Sequence, residues 1–250
     1  MTSKGVVTYV NNNQKYIQLV ECMIDSVLTF TDLPIEVFTI NFDYKHSNKR
    51  VLPKRLDMVE NHANLYYGKL LACERSEFDV TMHIDSDAIV TPELINMFTD
   101  NIETSLVLMP QHPWNGTPNP RMAAILANLK AQKTQPYLHA AAFLFTKNSK
   151  PFFKEIWDYS QILPFHPENF DESLLNCFLW KYNQTDCYVD CFDPYFEYFK
   201  YIKNIKPYDY NGQPYTDIPN FTINNYIAHG CKDPTHAKFI FEKLKREYNK

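Results

Sequence analysis

The chain has 250 residues, a formal net charge of -4 and 45% hydrophobic residues, enough to bury one large core. The mixed charge excludes the global basic field that favours duplex nucleic acid, so we expect no nucleic-acid partner. No stretch approaches the roughly 18 uncharged apolar residues of a membrane span, and the N-terminal segment lacks the apolar region of a signal peptide. We therefore expect a cytoplasmic protein with six reduced cysteines.

The first predicted unit is a strand, a helix and a second strand. Residues 5–10 are rich in β-branched side chains, which is typical of a buried strand. Apolar residues recur every three or four positions in residues 14–30 and predict an amphipathic helix capped by Asn12 or Asn13. Residues 35–42 predict the second strand. This order indicates a right-handed βαβ unit and therefore a parallel sheet covered by helices.

A pair of carboxylates follows the next predicted strand. Residues 61–77 predict a helix and residues 78–84 a strand, so Asp85 and Asp87 fall at the carboxyl end of that strand, where parallel sheets bind ligands. Burying a charge is costly unless it is paired. Two acids one residue apart can both face one Mg²⁺ or Mn²⁺ ion, although Asp-x-Asp is also common in solvated turns.

The rest of the chain continues the alternation of strands and helices. It contains no internal repeat or flexible linker, so we predict one domain. Residues 192–219 are dense in aromatic residues, proline and asparagine and show little periodicity, which favours irregular or short antiparallel structure. We predict helices at 93–98, 121–131, from about 151, at 171–181 and at 234–248, strands at 105–109 and 141–146, and a proline-rich loop at 110–120.

Two further groups of polar residues accompany apolar segments. His229, Gly230 and Lys232 end a short apolar run. The histidine can complete a metal shell, the glycine lets the backbone approach a ligand and the lysine can neutralise a phosphate, although His-Gly is also common in plain turns. Asp171 and Glu172 begin a predicted helix, where the helix dipole favours acids. The same two carboxylates are candidates to face the ligand cleft.

In this order the motifs resemble the GT-A class of metal-dependent glycosyltransferases, and most of all glycosyltransferase family eight, which includes glycogenin. The family's opening strand and turn are similar to Thr8-Tyr9-Val10-Asn11-Asn12 and are followed by a tyrosine comparable to Tyr16. The resemblance implies that this segment holds the nucleotide base and ribose. It also implies that Lys69, sixteen residues before Asp85, reaches the sugar nucleotide.

The resemblance extends to the remaining motifs. Asp85-Ser86-Asp87 matches the family's metal motif, and His229, Gly230 and Lys232 resemble its metal-binding histidine with the glycine and lysine that follow. The family's Asp-Gln-x-x-Leu-Asn is similar to the segment from Asp171 to Asn176, with Glu172 in place of the glutamine. His139-Ala140-Ala141-Ala142 stands where the family has an Asn-x-Gly entry next to the donor sugar. We take Asp171, Glu172 and His139 as the candidate catalytic residues.

The fold and function that the resemblance implies are as follows. The fold is α/β of the Rossmann-like GT-A type, with a mainly parallel central sheet flanked by helices. Residues 1–110 form a nucleotide-binding half and residues 111–250 an acceptor-binding half. With Mn²⁺ or Mg²⁺ bound, the enzyme transfers a sugar from a UDP-sugar to a hydroxyl of a glycan, protein or small molecule, with retention of configuration. If Glu172 or Asp171 were instead a general base toward the acceptor, the product would be inverted.

Two other functions are alternatives to sugar transfer. A sugar-nucleotide pyrophosphorylase would open with a glycine-rich, basic loop, and residues 8–16 contain neither glycine nor arginine. A non-catalytic carbohydrate- or nucleotide-binding module would use the aromatic residues of 195–215 as a sugar platform. The donor sugar, the acceptor and the oligomeric state are not identified by the sequence.

Overall fold

The computed structural model describes residues 2–59, 61–98, 106–110, 118–134, 137–163, 171–183, 188–189, 222–223, 227–231 and 233–248. The strands are β1 (Lys4–Val10), β2 (Ile35–Ile40), β3 (Val51–Leu56), β4 (Val80–Ile84), β5 (Ile89–Val90), β6 (Val107–Pro110), β7 (Ala142–Thr146), β8 (Tyr188–Val189), β9 (Thr222–Ile223) and β10 (Ile227–His229). The helices are α1 (Gln14–Phe30), α2 (His62–Arg75), α3 (Pro120–Leu129), α4 (Lys150–Ile162), α5 (Asp171–Lys181) and α6 (Pro234–Tyr248), with 3₁₀ turns at Pro92–Met97 and Lys147–Ser149.

The ends and the buried face of helix α1 follow from its sequence. Asn13 caps α1, because its side chain accepts a hydrogen bond from the backbone N–H of Lys15 at 3.0 Å. The helix ends at Phe30, and the N–H of the capping residue Thr31 donates to the carbonyl of Val27. The centre of the apolar stripe between these ends, which includes Val20 and Met23, is fully buried.

Within the described residues the main sheet has seven strands in the order β3-β2-β1-β4-β7-β6-β8. The pairs β3–β2, β2–β1, β1–β4 and β6–β8 are parallel, whereas β7 is antiparallel to both β4 and β6. A small antiparallel sheet of order β5-β10-β9 lies beside it. The fold is therefore α/β with a mainly parallel central sheet.

Both faces of the sheet are covered by helices. Val6 on β1 belongs to one core cluster, which includes residues of α1, and Val7 belongs to the other, which includes residues of α2, α4 and α5. This alternation follows from the two-residue period of a strand. A third cluster joins α1 to α6 through Leu19 and Phe241.

One edge of the sheet collects several chain segments. Because β1 and β4 run parallel, with Val7 opposite His83, their carboxyl ends lie at the same edge. The antiparallel partner β7 begins there, since Ile84 pairs with Ala142. The turn after β4 and the segment before β7 therefore meet at this edge, where parallel sheets bind ligands.

The structure departs from the sequence predictions in a few places. The edge strand β3 and the small sheet of β5, β9 and β10 were not predicted, and α2 ends at Arg75 rather than at residue 77. The segment 192–219, residues 111–117 of the predicted loop and Lys232 lie outside the described residues. Among the helices that the structure describes, none has the length and apolar character needed to cross a membrane.

Candidate active site

Two carboxylates and one imidazole meet just beyond the end of β4. The Nε2 atom of His229 lies 3.5 Å from Asp85 Oδ2 and 3.3 Å from Asp87 Oδ1. One potential ligand atom from each residue lies within 4.8 Å of the other two. Carboxylate oxygens suit hard divalent cations, and imidazole is a common third ligand. The donor set of Asp85, Asp87 and His229 therefore fits a divalent cation.

The backbone brings these three residues together across the sequence. Asp85 is fixed to the start of β7, because its N–H donates to the carbonyl of Ala141 at 2.8 Å. The β5–β10 pairing sets Ala228 opposite Ile89, which brings the next residue, His229, level with the turn after β4. The N–H of Cys231 then donates to the carbonyl of Asp87 at 3.0 Å. Gly230, between His229 and Cys231 in the sequence, has a φ of 81°, a conformation that favours glycine.

We call Asp85, Asp87 and His229 the metal-ligand group, as candidate ligands of a cation. A buried lysine joins this group to α5. Lys69 Nζ on α2 lies 2.8 Å from Asp85 Oδ1 and 2.5 Å from Asp171 Oδ2. Burial alone would lower the pKa of this ammonium, but the carboxylates of Asp171 and Asp85 outweigh burial and raise it. Lys69 therefore stays charged and ties the end of β4 to the start of α5.

The same contacts shift the pKa values of Asp85 and His229. Burial would raise the pKa of Asp85, but the charge of Lys69 and the hydrogen bonds from His229 and His83 hold it well below its usual range. Burial would lower the pKa of His229, but its contacts with Asp85 and Asp87 raise it to about 10. Asp85 is thus an ionised carboxylate in a nearly enclosed site.

Glu172 differs from its neighbour Asp171. Its Oε2 accepts a hydrogen bond from the N–H of Ala140 at 2.8 Å. Burial raises its pKa to about 7, and the adjacent Asp171 charge adds to this rise, while the Ala140 hydrogen bond and Lys69 oppose it. Glu172 therefore carries a proton over much of the range below neutral pH.

The segment before β7 is held against α5 by a buried amide. Asn176 accepts a hydrogen bond from the N–H of Leu138 and donates to its carbonyl, both at 2.8 Å, and it also donates to the carbonyl of Glu172 at 2.9 Å. His139, which follows Leu138, is buried, and its ring centroid lies 4.9 Å from that of His229 in an edge-to-face arrangement. The structure thus brings His139 to the metal-ligand group.

The predicted nucleotide segment lies at the end of β1. Thr8 is fully buried, and neither Thr8 Oγ1 nor Asn11 Oδ1 has a hydrogen-bond partner within the described part of the chain. Orphaned buried polar atoms of this kind are costly unless a ligand or water satisfies them. The ring of Tyr9 lies so close to Gly68 on α2 that a Cβ at that glycine would approach it to 2.5 Å.

The remaining candidates lie on the rim of the site. Tyr16 is 38% exposed, and partial burial together with the charge of Asp87 raises its pKa. Asn12 is exposed, and Ser86 is half-buried in the turn between the two aspartates. The sequence predictions missed His83, whose Nε2 lies 3.0 Å from Asp85 Oδ1. The available signal was a single ionisable residue inside an otherwise uncharged, buried strand.

The α/β fold with its mainly parallel sheet is of the GT-A glycosyltransferase type, as its similarity to solved structures shows. No protein-family model matches the sequence, and no curated protein matches it. The galactosyltransferase LgtC, solved with donor and acceptor sugar analogs, is similar with a TM-score of 0.59 and 13% identity, over 97% of this chain and 95% of that one.

Two other solved structures are similar over part of their length. The bifunctional glycosyltransferase WbbM matches with a TM-score of 0.53 and 14% identity, over 72% of this chain and 38% of WbbM. The glycosyltransferase GlyE of Streptococcus pneumoniae TIGR4 matches with a TM-score of 0.53 and 15% identity, over 82% of this chain and 50% of GlyE. At these identities the likeness establishes the fold.

Proposed function

We propose that the protein is a metal-dependent glycosyltransferase of the family-eight type. It transfers a sugar from a UDP-sugar to a hydroxyl of a glycan, protein or small molecule, with retention of configuration. The observation that carries the proposal is the meeting of Asp85, Asp87 and His229 at the carboxyl edge of the sheet, directly beside Lys69 and Asp171. The fold shared with LgtC, which was solved with donor and acceptor sugar analogs, supports the same reaction class.

The first half of the chain, residues 1–110, binds the nucleotide. Asp85, Asp87 and His229 hold Mn²⁺ or Mg²⁺, which when bound supplies a Lewis acid for the charge that develops on the diphosphate leaving group. The orphaned polar atoms of Thr8 and Asn11 take hydrogen bonds from the nucleoside. We assign Tyr9, Asn12, Tyr16, Lys69 and Ser86 to the same donor-binding surface, with Gly230 and Lys232 at the diphosphate.

The second half, residues 111–250, binds the acceptor and lines the reacting centre. Asp171 is held by Lys69, and Glu172 by the N–H of Ala140, so both carboxyl groups keep fixed positions while the sugar is transferred. Because its pKa is raised to about 7, Glu172 can donate a hydrogen bond in its protonated form, as the family's glutamine does. His139 lies beside His229 at the same centre.

The test is a panel of nucleotide sugars supplied with Mn²⁺ and read by release of the nucleotide. Mn²⁺ and UDP together should first raise the melting temperature, because a ligand that binds only the folded state stabilises it. One UDP-sugar should then release UDP, and the anomeric proton of the product, observed by NMR, should keep the donor's configuration.

Each other outcome changes the assignment in a defined way. An inverted product would make Asp171 or Glu172 a general base and would overturn the retaining assignment. Stabilisation by UDP without release of nucleotide to any acceptor or to water would favour a binding module. Formation of a nucleotide sugar from a sugar phosphate and UTP would identify a pyrophosphorylase.

A further inference from the structure

His83 on β4 contacts the carboxylate of Asp85, the first of the proposed metal ligands. The side chain of His83 is 1% exposed, and its neighbours along the strand, Met82 and Ile84, are apolar and fully buried. Its Nε2 lies 3.0 Å from Asp85 Oδ1, and its ring packs on Phe143 with the centroids 4.7 Å apart. Burying an imidazole in such a strand costs free energy unless the ring is hydrogen-bonded.

The direction of this hydrogen bond follows from the chemistry of the carboxylate. An ionised carboxylate only accepts, and Asp85 is paired with the ammonium of Lys69, so the hydrogen must lie on Nε2 of His83. In a neutral ring Nδ1 is then a bare acceptor, and this buried atom has no hydrogen-bond partner in the described part of the chain. A phenylalanine would pack on Phe143 without that penalty, which indicates that the contact with Asp85 is what the histidine provides.

The two oxygens of Asp85 are consequently in different environments. Oδ1 accepts from Lys69 Nζ at 2.8 Å and from His83 Nε2 at 3.0 Å. Oδ2 faces His229 at 3.5 Å and therefore lies on the side where the metal ligands converge. Two donors occupy the lone pairs of Oδ1, so Oδ2 remains for a cation.

We propose that His83 is a positioning residue for the metal site: with Lys69 it occupies Oδ1 of Asp85, fixes the carboxylate plane and leaves Oδ2 as the single oxygen that this residue presents to the cation. The proposal rests on the proposed function, because that function requires the cation. Hydrogen bonds to ligating carboxylates tune metal affinity, and losing such a partner typically weakens binding about 10- to 100-fold.

The test measures Mn²⁺ affinity directly, from the electron paramagnetic resonance signal of free Mn²⁺ during titration of the protein. In His83→Phe, which keeps a ring against Phe143 but has no donor, the Kd should rise about 10-fold or more. In His83→Gln, whose amide can donate from a similar position, it should return to within about threefold of wild type. The matched control is Thr81→Val on the same strand, which removes a buried hydrogen bond to Ser76 and should leave the Kd unchanged.

The outcomes separate this proposal from the proposed function. If wild-type protein binds no Mn²⁺, metal dependence itself fails. If the wild type binds Mn²⁺ and folded His83→Phe binds it equally well, or if His83→Gln is as weak as His83→Phe, the positioning role is wrong. Histidine ¹⁵N NMR of the wild type gives a measurement that needs no variant. We expect the His83 tautomer that is protonated at Nε2, whereas protonation at Nδ1 would also overturn the proposal.

Discussion

The two sides of the metal-ligand group are built differently. On the anchored side, formed by Lys69, His83, Asp85 and Asp171, the carboxylates already have buried partners at 2.5–3.0 Å. On the open side, formed by Asp87 and His229, the closest approach between charged groups is 3.3 Å. We therefore expect the anchored side to contribute more to the stability of the fold and the open side to contribute more to ligand binding. Substitutions on the two sides should separate these effects.

The largest expected effect is on catalysis and comes from the open side. Asp87→Asn removes the charge of a proposed metal ligand, so release of UDP from the proposed donor should fall about 10³-fold. Its free energy of unfolding should fall by no more than about 1 kcal/mol, because the substitution weakens one partly exposed pair with His229. Asp158→Asn, in an exposed pair with Lys154, is the control and should keep full activity. Full turnover by Asp87→Asn would rule out its role as a ligand.

The largest expected effect on stability comes from the anchored side. Lys69→Met leaves the largely buried carboxylates of Asp85 and Asp171 without their shared cation, and breaking a buried pair in this way costs about 3–5 kcal/mol. Urea denaturation followed by circular dichroism gives the free energy of unfolding. Lys154→Met removes one partner of an exposed pair and should cost less than about 1 kcal/mol. A similarly small loss for Lys69→Met would show that the anchored side does not support the fold.

A smaller effect is the contribution of Glu172 to the pH dependence of the free energy of unfolding. Its pKa rises from 4.5 to about 7 on folding, so the protonated form is the one that the folded state favours. The stability that this group contributes is fully present below pH 4.5 and is lost as the pH rises to about 7. Between pH 5 and pH 8, the free energy of unfolding of Glu172→Gln should therefore gain about 2–3 kcal/mol relative to wild type. Denaturation curves of both proteins across this range provide the measurement, and a pH-independent difference would contradict the raised pKa.

Much of the first half of the fold could be predicted from local patterns. The periodicity of α1 and the β-branched run of β1 are strong signals, and Asp85 and Asp87 follow a buried strand as predicted. The strand β3 was missed because it contains Pro53, which weakens a strand pattern. It lies at an edge of the described sheet, where a strand tolerates a proline.

The rest depends on contacts that local sequence does not encode. The strands β5 and β10 are two and three residues long and depend on their pairing with each other. Segments this short show no hydrophobic periodicity from which a strand could be predicted. The antiparallel direction of β7 is likewise set by the whole sheet. The sequence suggested Lys69 as a site residue, but its double ion pair with Asp85 and Asp171 required the packing of α2 against α5.

The most direct test of the central claim is a crystal structure with Mn²⁺ and UDP, recorded at a wavelength where manganese scatters anomalously. We predict one anomalous peak within coordination distance of Asp85 Oδ2, an oxygen of Asp87 and His229 Nε2, with the diphosphate of UDP on its open side. A peak at another place, or UDP bound at the end of β1 with no metal between these three residues, would contradict the account.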